Sequence, residues 1–406
     1  MTVPVLGADP LFSGPITGSV LLVVLIKVVT AFAVLLVSVM LYIWAMRKVI
    51  ADMQNRIGPN RAGPFGVLQT LADGIKLFFK EQSIPDSADR TVFRLAPYLS
   101  ILPAFLLFCV VPIGGEVSIL GERTFLQVAD LPIGALFILA MSGIGIYGVM
   151  LAGWSSGSKY PLLGSVRASA QLLSYEAAFG LAIVAVLIQA GTLSTHEIVF
   201  GADGIGGQYG TSWHSVFTDA YWPRTFVAFV IFLIAATAEV NHPPFDLVEA
   251  EQELVGGFNT EYTGIRFAIF FLAEFMNVIT MSAIAVTLFL GGPSGPGIGT
   301  GDGVVNTWLM PIFWFLVKVL ALLFGTVWLR ASLPRMRYDR LMALGWKYLI
   351  EIAVLWVIVT AALQVGSDQG WNLALTALIS VAIAGGAYGL LYLSMPRPGE
   401  ALEEIR

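Results

Sequence analysis

The sequence predicts an all-α polytopic membrane protein of about nine transmembrane helices plus an interfacial amphipathic helix. Three observations carry that prediction. Hydrophobic residues make up 57% of the 406 and charged residues only 12%, with a mean hydropathy of +0.81; such a chain lacks the polar surface that would keep a globule in water. Its apolar residues come in nine runs long enough to cross about 30 Å of hydrocarbon at about 1.5 Å per residue. Its cations are spread unevenly over the loops between those runs.

The runs fall at about 20–46, 92–113, 131–153, 167–190, 224–240, 266–291, 309–331, 348–366 and 371–394. The first is long, has no basic residue before it and is followed by Arg47-Lys48, so it reads as a retained span rather than a cleaved signal. The 42 glycines, with serines and alanines inside the runs, suit close packing of helices in lipid. Residues 1–406 read as a single membrane domain without an internal repeat, and the glycine-rich 291–303 stretch as a short loop. Trp154 and Tyr175, near span ends, read as interface anchors.

Orientation follows from the 22 basic residues. Two, Arg123 and Arg224, lie in loops on one side, and two, Lys27 and Lys318, lie within runs. The remaining 18 lie on the other side, which sets the N-terminus outside and the C-terminus in the cytoplasm. Lys27, Lys318 and Glu351, within or near runs, read equally as packing or snorkelling residues.

Three inner segments stand out: 47–91, 241–265 and 332–347. In the first, Arg47-Lys48 ends the span, and Ile57-Gly58-Pro59 and Ala62-Gly63-Pro64 mark turns. Leu68, Leu71, Ile75 and Phe78, interleaved with Asp73, Lys76, Lys80 and Glu81, then predict an amphipathic helix within 65–81 that lies along the interface. Lys76 and Lys80 suit snorkelling, whereas Arg47, Arg56 and Arg61 sit among turn residues where a guanidinium can hold a carboxylate or a polar head group.

Five carboxylates run from Glu239, just before the second segment, to Glu253 within it, beside a lipid boundary where uncompensated charge is costly. Pro243-Pro244 stops a helix arriving from Ala238, and Glu249, Glu251 and Glu253 cannot share one helical face. A solvated acidic loop is the plainest explanation of such a run; a polar cavity or proton route is the alternative that the flanking spans favour. Glu176 and Glu274 lie inside apolar runs, and an intramembrane carboxylate is a functional candidate.

Composition also excludes chemistry. One cysteine, Cys109, inside an apolar run, makes neither a disulfide, a zinc site nor an iron–sulfur centre within this chain. The histidines, His196, His214 and His242, fall outside the runs, so no transmembrane haem pair is available and no metal site is expected.

Four stretches carry a resemblance: RKVIADMQNRIGPNRAGPFGVLQTLADGIKLFFKE, GWSSGSKYPLLGSVRASAQLLSYEAAFGL, AEVNHPPFDLVEAEQELVGGFNTEYTGIRFAIFFLAEF and WLRASLPRMRYDRLMALGWKYL. In this order, from about 42 to 350, they resemble the H subunit of bacterial proton-translocating NADH:quinone oxidoreductase, respiratory complex I, and its mitochondrial counterpart, NADH dehydrogenase subunit 1. The first 20 residues and those after about 366 match only in being apolar or variable.

The resemblance implies a subunit that joins the membrane and peripheral arms in a bacterial inner (plasma) membrane and, with peripheral-arm subunits, encloses a quinone chamber. Carried over by motif, the quinone-binding residues are Arg47, Arg56, Phe245, Asp246 and Arg330. The proton-coupling carboxylates are Asp73, Glu176, Glu239, Glu249, Glu251, Glu253, Glu261 and Glu274. Quinone, ubiquinone or menaquinone, is then the substrate, this chain holds no bound redox cofactor, and NADH, FMN and iron–sulfur clusters belong to partner subunits. The other partners implied are adjacent membrane-arm subunits and membrane lipid, with no nucleic acid. Three positions depart from the family pattern: Met46 where glutamate is common, Thr70 where proline is usual, and His242 where arginine is usual. The first removes a neighbour that would hold Arg47; the third places an imidazole that titrates near neutrality in an ordinary environment.

Two other classes compete with this one. A stand-alone ion transporter accounts for the buried carboxylates but is expected to show discontinuous spans in paired halves. A purely structural anchor accounts for neither Glu176 nor the acidic loop.

Overall fold

A computed structural model describes residues 9–201, 221–246, 255–296 and 305–394. The proline-free stretch after Thr17 runs as one 36-residue helix, α1 (Gly18–Met53), about 54 Å at 1.5 Å per residue. It therefore continues beyond the predicted span end at Arg47, and only Gln54 and Asn55, the latter with φ of 52°, turn the chain away. The expected amphipathic helix is α2 (Gln69–Phe79), with no buried residue and with Phe78 and Phe79 left exposed. Trp44 Nε1 donates to the Phe65 carbonyl at 3.0 Å and Thr70 Oγ1 to the Met40 carbonyl at 3.2 Å, which lays α2 beside α1.

Asp89 caps α3 (Arg90–Cys109), accepting from the Thr91 and Val92 amides at 3.0 and 3.2 Å. Pro97 inside α3 cannot donate to the carbonyl four residues earlier. That carbonyl, of Phe93, instead accepts from the Tyr262 hydroxyl at 3.2 Å, and the two rings stack with centroids 4.0 Å apart. A helix irregularity is thereby turned into a tie to a distant loop. Beyond α3, β1 (Glu116–Ile119) and β2 (Glu122–Phe125) pair antiparallel. Leu120 and Gly121, both at positive φ, form the two-residue turn that suits strand twist; the all-helical expectation contains no such hairpin.

The remaining helices are α4 (Gly134–Ser155), α5 (Lys159–Ala190), α6 (Thr195–Phe200), α7 (Tyr221–Glu239), α8 (Gly264–Phe289), α9 (Met310–Ser332), α10 (Tyr338–Ala343), α11 (Ile350–Asp368) and α12 (Leu373–Ser394). Single π-turns lead into α9 and α11, so the chain is helical from 305 to 332 and from 338 to 368. Among the described residues seven helical segments are long and apolar enough to cross a membrane. The other two predicted spans are occupied by α7 and α12.

Within the bundle α3 packs on α4, α4 on α5, α5 on α7 and α11, and α8 on α3. α8 is the most enclosed: Val278 through Phe289 are all buried. Phe179, Phe232 and Phe289 meet at centroid distances of 4.8 and 5.2 Å to form the centre of the core. α1 and α9 instead present exposed apolar faces, including Leu21, Leu25, Leu320 and Phe324, as lipid-facing helices do.

Loops on the two ends of the bundle interlock separately. At the basic end, Ser83 N donates to Thr263 Oγ1 and Met336 N to the Pro244 carbonyl, each at 3.0 Å. Gly164 on α5 meets the loop before α8 so closely that a Cβ there would lie 2.8 Å from Gly257 backbone atoms. At the opposite end Lys27 pairs with Asp9 at 3.0 Å, both buried, and donates to Thr124 Oγ1 at 2.8 Å. Lys318 donates to the carbonyls of Leu290, Gly292 and Ser294 at 2.7 to 3.0 Å, where the C-terminal end of α8 offers unpaired acceptors. Both lysines are therefore fastened inside the protein and do not snorkel.

Replacing Tyr262 by Phe keeps the stack and removes the donor to the Phe93 carbonyl. A loss of about 1 kcal/mol is expected, read as a lower Tm of the detergent-solubilised protein; an unchanged Tm would mean that this carbonyl finds another donor.

Candidate functional site

The turn after α7 is buried, so its backbone polar groups need partners within the protein. Gln171, fully buried on α5, donates through Nε2 to the Ala238 and Phe245 carbonyls, both at 2.9 Å, with Asn241 Oδ1 at 3.3 Å. The Phe245 ring lies against Tyr175, centroids 5.5 Å apart, and Asp246 pairs with Arg335 at 3.1 Å. Tyr175 is fully buried and donates to the Leu341 carbonyl at 3.0 Å; it is a core post between two loops, not the interface anchor expected. Trp154 is exposed, as an anchor is.

This framing holds His242 in place, 2% exposed. Arg330 Nη1, on α9, lies 3.2 Å from His242 Nε2 and 3.6 Å from Met46 Sδ. His242 Nδ1 lies 3.1 Å from the Val240 carbonyl and 3.5 Å from Glu274 Oε1. Burial first, then the Arg330 charge, push the imidazole down to about 4, against the Val240 hydrogen bond, which raises it. The side chain is therefore neutral at physiological pH, contrary to titration near neutrality. The guanidinium that would have faced an acid at position 46 finds a thioether there instead.

Glu274 borders a cavity enclosed by α3, α4, α7 and α8, whose polar lining includes Ser100, Ser142, Glu239, Asn241 and Asn277. The space open to the centre of a water-sized sphere is about 70 Å³. One water needs about 10–15 Å³ on that measure, so several fit. Ser142 Oγ donates to Glu239 Oε1. Glu239 Oε2, Ser100 Oγ and Asn277 Oδ1 are buried with no protein hydrogen-bond partner, which marks the cavity as polar rather than a packing fault. Glu176 on α5 lies behind Gly143, where a Cβ would sit 3.0 Å from its carboxylate, and is close enough to Glu239 for their charges to interact.

The structure thus gathers Arg330, His242, Glu274, Glu239 and Glu176 into one series, while Phe245 and Asp246 are buried in the adjoining turn. Others stand elsewhere. Arg47 bonds Asp73 at 2.8 Å and ties α1 to α2, replacing the missing neighbour at 46. Burial alone would raise the Asp73 carboxyl, but bonds from Arg47 and Gln69 and the charges of Arg47 and Lys76 hold it below the usual range. Its contribution to this tie is complete above about pH 4 and lost as pH falls through the folded value. Arg56 is exposed and donates to Gln54 at 2.7 Å. Glu261 lies on the loop before α8 and does not line the cavity. Glu249, Glu251 and Glu253 lie outside the described residues. Gln171, Ser142 and Asn277 are not among the residues that the sequence singles out, although polar side chains inside apolar runs are the same signal that marks Glu176.

Fold and site define a polytopic helical membrane protein with a carboxylate-bordered cavity. A family model described as NADH dehydrogenase matches residues 26–361, and the chain belongs to that family. It is 53% identical over 342 residues to the NADH-quinone oxidoreductase H subunit of Frankia casuarinae, covering 84% of this chain and 73% of the relative. The Frankia alni protein of the same name gives the same figures. That of Streptomyces avermitilis is 47% identical over 376 residues, 91% of this chain and 79% of the relative.

Gln171→Leu preserves volume and removes the donor that satisfies two buried carbonyls. Destabilisation of about 1–3 kcal/mol, concentrated on the turn, is expected. Hydrogen exchange of residues 238–246 in the variant should rise well above wild type; equal protection would assign the turn's order to its other contacts.

Proposed function

We propose that this chain is the membrane subunit of a proton-translocating NADH:quinone oxidoreductase that forms one wall of the quinone chamber and links quinone reduction to proton movement. One observation carries the proposal: the unbroken polar series from Arg330 at the basic end, through His242 and Glu274, to the cavity of Glu239. Family membership supports the same reading. NADH, FMN and iron–sulfur clusters belong to partner subunits of the peripheral arm, which close the chamber, and adjacent membrane-arm subunits extend the series beyond Glu176. The chain sits in the bacterial inner membrane with its N-terminus outside, so the basic end faces the cytoplasm and the quinone pocket.

Magnitudes support electrostatic linkage over this distance. A unit charge appearing about 10 Å from a carboxylate changes its ionisation by roughly 1.7 kcal/mol at an effective dielectric of about 20, a little over one pKa unit. That suffices to shift protonation one helix diameter away and is too weak to span a membrane arm in one step. A relay of several carboxylates is the physical answer, and its like charges make the titration collective.

Two experiments test the two halves. Arg56→Ala and Arg330→Ala should lower NADH:quinone turnover in assembled complex while leaving NADH oxidation by artificial acceptors intact, because those electrons leave before the chamber. Full quinone turnover in both variants would make these arginines structural cations. Glu239→Gln keeps shape and most hydrogen bonding but removes the titrating proton. In reconstituted vesicles it should impair proton uptake and quinone turnover together; wild-type values of both would reduce Glu239 to a packed polar residue.

A further inference from the structure

Arginine does not lose its proton in proteins, so in the contact between Arg330 Nη1 and His242 Nε2 the guanidinium must be the donor. Nε2 is then a bare lone pair, and the ring hydrogen sits on Nδ1, facing the Val240 carbonyl and Glu274. The tautomer of His242 is set by one hydrogen bond from one side. Charged and titratable groups approach this site from three helices: Glu274 from α8, Arg330 from α9, and Tyr42 from α1, which feels the charges of both. The Phe275 ring, its centroid 5.7 Å from that of the imidazole and its plane nearly perpendicular, closes another side.

We infer that His242 is a gate between the chamber and Glu274, closed while Arg330 donates to Nε2 and opened when an anion in the chamber draws the guanidinium away. This deepens, and rests on, the chamber reading above. In the open state Nε2 takes a proton from hydronium in the chamber water and Nδ1 gives its own to the Glu274 carboxylate. One O–H bond breaks in the water as one N–H bond forms at Nε2; one N–H bond breaks at Nδ1 as one O–H bond forms on Glu274. The ring remains neutral throughout apart from the transient imidazolium. When the anion leaves, Glu274 returns the proton to Nδ1, Nε2 releases its own to water, and Arg330 re-engages the lone pair. Protonation of Glu274 thereby follows occupancy of the chamber by a negatively charged reduction product. His242 is a positioning and relay residue here, since it touches the guanidinium and the acid rather than the quinone. Burial first, and this contact second, depress its basicity in the closed state.

The test uses assembled, reconstituted enzyme, a short-chain quinone and three chains: wild type, E274Q and H242Q. Glutamine accepts from Arg330 and donates toward Glu274 but does not titrate. Reaction-induced infrared difference spectra of wild type should gain a protonated-carboxyl band on quinone reduction that E274Q lacks. H242Q should lose that band, with quinone turnover down at least about ten-fold. Retention of the band and wild-type turnover in H242Q overturns the gate. Should H242Q fail to assemble, the wild-type and E274Q spectra decide: a Glu274 band on reduction supports the gate and its absence overturns it. If Arg56→Ala and Arg330→Ala lose quinone turnover while H242Q behaves as wild type, the gate alone has failed. If those arginine variants keep full turnover, the chamber reading has failed first.

Discussion

A turn of backbone buried beside the membrane must have every carbonyl and amide satisfied without bulk water, and the 238–246 turn of this protein shows how much of the fold that one requirement commits. Gln171 supplies two bonds, the Met336 amide a third, Arg335 holds Asp246, and Tyr175 backs Phe245. α5, α7 and the 333–337 loop thus converge on one short turn. Each donor also fixes the helix that carries it, so the turn and the bundle order one another.

The same burial makes the charges around the turn interdependent. An arginine that stays charged and a half-buried glutamate stand on opposite sides of an imidazole. Holding unlike charges on either side of a ring forgoes Coulombic gain, and in exchange the separation lets each answer a change on its own side. Elsewhere the chain pairs its charges outright: Lys27 with Asp9 at the far end and Arg47 with Asp73 at the α1–α2 junction. These closed pairs contrast with the open series from Arg330 to Glu239.

The cavity follows the same logic. Glu239, Ser100 and Asn277 each bring an oxygen with no protein partner to its wall. A bundle built only to pack would place apolar groups there, since an unsatisfied buried polar atom costs about 1–3 kcal/mol.

How much of this was legible in the residues divides along a physical line. Periodicity and span length determined the helical class, α2 and the apolar helices, seven of which are long and apolar enough to cross a membrane among the described residues, because those are local or additive properties of the chain. The candidates Glu176, Glu239 and Glu274 were legible because ionisable groups in or beside apolar runs are costly, whereas Arg330 came from the resemblance. The hairpin at 116–125 was not legible, its strands being only four residues each. Only the tertiary structure decided that Arg47 belongs to Asp73 rather than to the Arg330 group, that Tyr175 is a core post, and that His242 is neutral. Such facts depend on which side chains meet across distances of 26 to 166 positions in sequence, and on how little water reaches them. The types of chemistry were written in the residues; who faces whom, and therefore which charges are tied down and which can respond, is a property of packing.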